Sequence, residues 1–242
     1  MPMLVDPNGV RKVKNLYFSL PTAATLVLSL ANPAQAAAPL ENDTQLWTQA
    51  SAIVKLNDQW KFSQDVIGRF SDNREGLYEV EMVSMLNYRI AKNVTVAAGY
   101  VRNPQYAAGD FTIMEQRARE QVTFDNIAEL AGGKFSVRMR MEQRWRDNLD
   151  GTGWRLRPFV KYSVPLSGKT SLVLSSEPFY NLNKTVFQAR EGFDRVRNFI
   201  GINQPLAKNL TAEVGYLNQH GFVRDAPDTS DNVGSVTLTL SL

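Results

Sequence analysis

Three aromatic pairs spaced ten residues apart constrain this chain most: Trp60 and Phe70, Tyr78 and Tyr88, Phe135 and Trp145. An even spacing puts both rings of a pair on one face of a β-strand. Ten residues of strand rise about 33 Å, and a tilt of about 40° reduces this to about 25 Å, the height of the lipid-facing band between the two aromatic girdles of a membrane barrel. Between the rings the same face reads Phe62, Val66 and Gly68, then Val80, Met82 and Leu86, then Val137, Met139 and Met141. The opposite face reads Lys61, Asp65 and Arg69, then Glu79, Glu81 and Arg89, then Arg138, Arg140, Glu142 and Arg144. Apolar and charged faces alternating at period two are the pattern of a barrel strand with lipid outside and a polar lumen inside. Trp154 and Tyr162 are assigned to the same girdles.

The first 36 residues read as a cleaved signal peptide. Arg11, Lys12 and Lys14 form a basic start, Leu16 to Leu30 an apolar core, and Ala34-Gln35-Ala36 an A-x-A cleavage site. The core is short for a membrane helix and Pro21 interrupts it. Residues 37–242 then form one domain. The chain has no cysteine, which excludes disulfides, cysteine-ligated metals and a lipoprotein anchor. Lys+Arg is 27 and Asp+Glu is 24; setting aside the leader's three cations and one acid leaves 24 against 23, so net charge makes no case for nucleic acid. After Ala36 no apolar run reaches the ~18 residues of a membrane helix, and an exported chain without one enters a bilayer only as a closed barrel.

The mature chain alternates throughout. Short breaks (57–58, 91–93, 166–169, 206–209) alternate with longer polar ones (71–76, 102–110, 146–153, 181–192, 221–232), as periplasmic turns alternate with extracellular loops. The break at 125–133 is long for its place, and Ile127 to Leu130 reads as a helical turn. Eleven strand-like segments result. Bacterial single-chain barrels have even strand numbers, so the expected fold is an all-β, antiparallel, up-and-down transmembrane barrel of about twelve strands. Ala37 to Asp43 would supply the twelfth; ten is the alternative.

At the end of the chain Val236, Leu238, Leu240 and Leu242 alternate with Ser235, Thr237, Thr239 and Ser241. This terminal strand resembles the signal read by the barrel assembly machinery, with Leu in place of the usual Phe. From Trp47 onward the chain is similar to the outer-membrane family known as domain of unknown function 2490. The matching stretches are 43–47 (DTQLW), 138–144 (RMRMEQR), 177–179 (EPF), 192–197 (GFDRVR) and 214–217 (VGYL). The resemblance implies a barrel in the outer membrane of a Gram-negative bacterium, among its lipid and lipopolysaccharide, and assigns no substrate. The mature length of 206 residues is also similar to that of small porins for acidic oligosaccharides.

The candidate chemistry is a basic ladder. The inward cations are Lys61, Arg69, Arg89, Arg117, Arg119, Arg138, Arg140, Arg144, Arg155, Arg157, Lys161, Arg195 and Arg197. The inward acids are Asp65, Glu79, Glu81, Glu115, Glu142, Glu177 and Glu213. Arginine suits a lumen, because it stays charged and pairs bidentately with carboxylates and phosphates. Two readings follow: a narrow channel for small anionic solutes, or a closed structural or receptor-like barrel sealed by salt bridges. The register of the strand near 111–125 leaves Glu120 facing lipid. A third reading is an outer-rim, lipid-modifying enzyme using His220, the only histidine, with Ser230 or Ser176 as partner. No Gly-x-Ser-x-Gly elbow supports it. Glu177 is expected to pair with an inward arginine. Gly99 and Gly215, each before a tyrosine, read as points of barrel curvature. Neither a cofactor nor a metal site is expected, and no residue is assigned a catalytic role.

Overall fold

The eleven alternating segments become eleven strands: β1 (Glu41–Lys55), β2 (Trp60–Ser71), β3 (Gly76–Ala91), β4 (Val94–Ala107), β5 (Asp110–Leu130), β6 (Gly133–Arg146), β7 (Leu149–Ser167), β8 (Thr170–Asn181), β9 (Gly192–Pro205), β10 (Leu210–Gly221) and β11 (Thr229–Ser241). They form one closed barrel in sequence order. The computed structural model describes residues 40–242. The expected signal peptide, residues 1–36, lies outside the described residues, as do 37–39.

The strand count corrects the expected twelve. Residues 41–43 lengthen β1 instead of forming a strand of their own. Strands that alternate up and down an odd-numbered wall leave the first and last running the same way. β1 and β11 accordingly pair in parallel, from Glu41 opposite Thr229 to Ile53 opposite Ser241, while every other neighbour is antiparallel. Closure removes the bare edge that the apolar terminal strand would otherwise expose. The end of the chain is tied in as well: Lys55 N donates to Leu242 O at 2.9 Å and Leu242 N to Ile53 O at 2.8 Å.

Several expected loops are strand. β4, β5, β6 and β7 run through most of 102–110 and 146–153, and β5 continues to Leu130, where a helical turn was expected. Two features explain this. Ala108-Gly109 and Ala131-Gly132 both have positive φ at each residue, so each hairpin closes in a two-residue mirror-image turn. Strands that rise beyond the apolar band are wetted on both faces, so their sequence loses the alternation that marks a wall strand. The longest connections, 182–191 and 222–228, share one rim with the turns at 72–75, 108–109 and 147–148.

Leu46, Val66, Met82, Leu86, Met139, Ile200, Val214 and Leu238 are exposed on the outer face. At the short-turn rim the girdle rings stack across strands, Trp60 on Tyr88 and Phe135 on Tyr162, each with centroids 4.6 Å apart. Phe70 and Trp154 are exposed toward the long-loop rim, where Trp145 Nε1 donates to Thr152 Oγ1 at 2.9 Å. Tyr78 departs from the girdle. The β2–β3 register slips by one between Arg69 and Phe70, so Arg69 faces Glu79 and Phe70 faces Leu77. This bulge turns Tyr78 into the barrel, where its hydroxyl donates to Gln45 Oε1 at 2.8 Å. A bulge adds one residue and reverses the parity of everything beyond it, which a fixed ten-residue spacing does not register. Glu120 does face outward, at the end of a long contact (3.5 Å) from Gln143 Nε2.

Part of the interior is apolar. Val83, Met85, Ala97 and Val101 pack together inside β3 and β4, with Ile67 of β2 against them. Gly99 lies among them because a Cβ there would come 2.2 Å from the Ser84 carbonyl oxygen and 2.4 Å from Met85 Sδ. Any side chain there would drive the two strands apart.

Candidate functional site

Across the middle of β5, β6 and β7 the inward positions are mostly charged, and the register sets them side by side: Arg119 opposite Glu142, Glu142 opposite Arg155, Arg140 opposite Arg157. The hub is Glu142, fully buried. It accepts hydrogen bonds from Arg119 Nε (2.6 Å), Arg157 Nη1 (2.8 Å), and Arg155 Nε and Nη2 (2.9 and 2.6 Å). A second buried hub, Glu115, takes a two-pronged contact from Arg144 (2.9 Å on each oxygen), with Arg117 Nε at 2.6 Å and Arg146 Nε at 2.7 Å.

Glu81 joins the two hubs, pairing with Arg117, with Arg119 (3.5 Å) and with Arg69 (3.7 Å). Arg69 pairs in turn with Glu79. Arg157 extends the chain to Glu177 at 2.8 Å, where Arg138 also binds. The result is one connected ion-pair network across β2, β3, β5, β6, β7 and β8. Ion pairs removed from water require this density of partners, because each charge has given up its hydration.

Two buried aromatic rings stand inside the network. Phe179 has four guanidinium carbons within 6 Å of its centroid: Arg157 (4.2 Å), Arg197 (4.6 Å), Arg155 (5.1 Å) and Arg195 (5.9 Å). Trp47 carries Arg69 at 4.3 Å and Arg197 at 4.6 Å. The negative faces of the rings offset part of the repulsion among these cations.

The network leaves two cavities. One, of about 280 Å³, includes Asp65, Arg138, Arg140, Glu213 and Thr237 in its lining and lies toward the short-turn rim. The other, of about 300 Å³, includes Arg74, Tyr78, Arg195, Gln219 and Asp231 and lies toward the long-loop rim. Arg69, Glu81, Arg157 and Arg197 line both and stand between them. The 182–191 connection folds inward against β6 and β7: Gln188 is buried and accepts from Arg144 Nη1 at 3.0 Å. Gly153 makes room for it, since a Cβ there would meet Gln188 Oε1 at 3.0 Å and Phe187 at 3.2 Å.

The structure brings together Arg117, Arg119, Arg138, Glu142, Arg144, Arg155, Arg157 and Glu177 as one cluster. Arg140 lines the first cavity and binds Gln121 through Nε (2.9 Å) and Nη2 (2.7 Å). Lys161 stands apart with Glu213 at 3.4 Å. Arg195 pairs with its neighbour Asp194 at 2.6 Å, and Arg197 donates to Gln219 at 2.8 Å. Lys61 and Arg89 are exposed near the short-turn rim.

Sequence reasoning missed Trp47, Arg74, Arg146, Phe179, Gln188 and Gln219. The first and fourth carried a signal: Trp47 shares parity with Asp43 and Gln45, and Phe179 with Glu177. A large ring on a charged face marks a packed lumen.

His220 lies opposite Ser230 in the β10–β11 register, and its Nε2 is 3.2 Å from Asp228 Oδ2. The Ser230 hydroxyl takes its hydrogen bond from Asn218 Nδ2 at 2.9 Å. Ser176, on β8, donates to Asn198 at 2.8 Å. Among the described residues His220 has no hydrogen bond to either serine, and no group of three or more His, Asp or Glu is placed to hold a metal.

Residues 44–230 match the family described as "Protein of unknown function (DUF2490)". The chain belongs to that family. An uncharacterized protein of Methylorubrum extorquens is 30% identical over 232 residues, which are 95% of this chain and 98% of that one. Two solved structures match the chain at low similarity. LpxR from Salmonella typhimurium has a TM-score of 0.46 and 8% identity, over 74% of this chain and 83% of that one. The siderophore receptor PirA from Pseudomonas aeruginosa has a TM-score of 0.25 and 14% identity, over 69% of this chain and 32% of that one.

Proposed function

We propose that this family member is an outer-membrane barrel closed at its waist, a receptor-like frame more than an open channel. The observation that carries the reading is the Arg69–Glu81–Arg157–Arg197 layer between the two cavities, tied to buried Glu142 and Glu177 and packed on Trp47 and Phe179. An aqueous anion path needs cations that face water. Most cations of this ladder are instead held by carboxylates or by aromatic faces. Bilayer residence is supported by the apolar outer wall and its aromatic rings. In that setting the outer wall meets lipid and lipopolysaccharide, the C-terminal strand is presented to the barrel assembly machinery, and the long-loop rim faces out of the cell.

Planar-bilayer recording separates this from the narrow anion channel. Folded wild-type protein should insert and carry no steady current at either polarity. Regular anion-selective steps from the folded barrel would replace the closed waist with the channel.

A further inference from the structure

Arg197, like Arg140 in the inner cavity, stands outside the ion-pair network. Among the described residues no carboxylate lies within salt-bridge distance of it, and its one hydrogen bond runs from Nε to Gln219. The rest of its fork of donors is uncommitted. Its guanidinium sits between Trp47 and Phe179, 4.6 Å from each centroid, beside three further arginines on the same phenylalanine.

Arg74, in the turn after β2, likewise has no carboxylate partner among the described residues; it lies over Tyr78 at 4.6 Å. Arg195 pairs only with adjacent Asp194. These three arginines line the same cavity of about 300 Å³, toward the long-loop rim. Asp231, also in that lining, is held by Gln219 and neutralises none of them directly.

We infer that this outer cavity binds a compact anion through its phosphate or carboxylate oxygens. Glu79 and Glu81 also line this cavity but are taken up by Arg69 and Arg117, so Arg74 and Arg197 keep free donors there, which a bound anion would engage in charge-assisted, two-pronged hydrogen bonds. Arg74 and Arg197, set against the Asp231 carboxylate in the same lining, leave about one positive charge for a bound anion to meet. A cavity of this volume is at the small end for ligand sites, which favours a compact solute over an oligosaccharide. Arg197 grips the anion from its aromatic seat; Arg74 and Arg195 take its outer side. The inference deepens the receptor-like reading and rests on it only for the side from which the ligand enters.

Titration calorimetry of the folded full-length barrel in detergent, with inorganic pyrophosphate as the probe and sucrose as the uncharged control, tests it. Wild type should show saturable one-to-one binding of pyrophosphate, weakened by raising NaCl from 0.1 to 0.5 M, and none of sucrose. Arg197→Gln should weaken binding about tenfold. Arg74→Gln, at an exposed turn position outside the ion-pair network, should weaken it severalfold and decides the matter if the first variant does not fold. Absence of saturable binding by folded wild type, or binding undiminished in the folded variants, overturns the inference. The bilayer recording fails separately: a barrel that binds pyrophosphate and also conducts keeps the site and loses the closed waist, while one that neither binds nor conducts loses the site alone.

Discussion

Replacing Glu142 with glutamine should lower the stability of the folded barrel by about 3–5 kcal/mol, the usual cost of removing one partner from a buried ion pair. Glu142 is fully buried and receives Arg119, Arg155 and Arg157. Glutamine keeps the shape but removes the charge that all three share, and it offers one acceptor oxygen where there were two. Arg157 retains Glu177; Arg119 and Arg155 are left with weaker company.

Denaturant titration of the refolded barrel in vesicles, followed by tryptophan fluorescence, gives the number. Glu213→Gln is the control: its one ion-pair partner, Lys161, is 3.4 Å away and both side chains are partly exposed, so its loss should cost about 0–1 kcal/mol. Adding Arg155→Gln to Glu142→Gln should return part of the lost stability, because it removes one of the stranded charges. Equal costs for Glu142→Gln and Glu213→Gln would mean that the waist is wet.

The second large effect is on the outer wall. Met139 is exposed there, four residues from Phe135 and six from Trp145, near the middle of the expected apolar band. Met139→Arg should therefore cost about 2–4 kcal/mol in a bilayer, against about 0–1 kcal/mol for the same change near an interface. Ser136→Arg, on the inward face of the same strand near the short-turn rim, should be tolerated. If both variants unfold alike, the face assignment of β6 is wrong.

The wall was legible in the sequence because lipid and lumen impose opposite chemistry on alternate residues. β2 falls where the alternation puts it, Trp60 to Ser71, and the carboxylates and arginines of β6 all point inward. Three things were not legible. The parallel meeting of first and last strand, Glu41 beside Thr229, which lets the eleven segments close as eleven strands, is recorded by no local pattern. Bulges reverse parity within one residue, which is how Tyr78 left the girdle. Strand ends beyond the apolar band lose the alternation of the wall, so the upper parts of β4 to β7 read as loops.

At the site, the ladder was visible but its outcome was not. Whether arginines line water or lock onto glutamates depends on cross-strand distances. The decisive rings, Trp47 and Phe179, stood out only as apolar residues on a charged face.

The waist itself can be probed by thiol labelling, since the chain has no cysteine to interfere. Gln219 lines the outer cavity, whereas Thr237 lines the inner one. In vesicles into which the barrel has inserted with one orientation, a small, membrane-impermeant thiol reagent added at the long-loop side should label Gln219→Cys and leave Thr237→Cys untouched. The same reagent trapped on the other side should reverse the pattern. Labelling of Thr237→Cys from the long-loop side, at a rate matching Gln219→Cys, would contradict the closed waist.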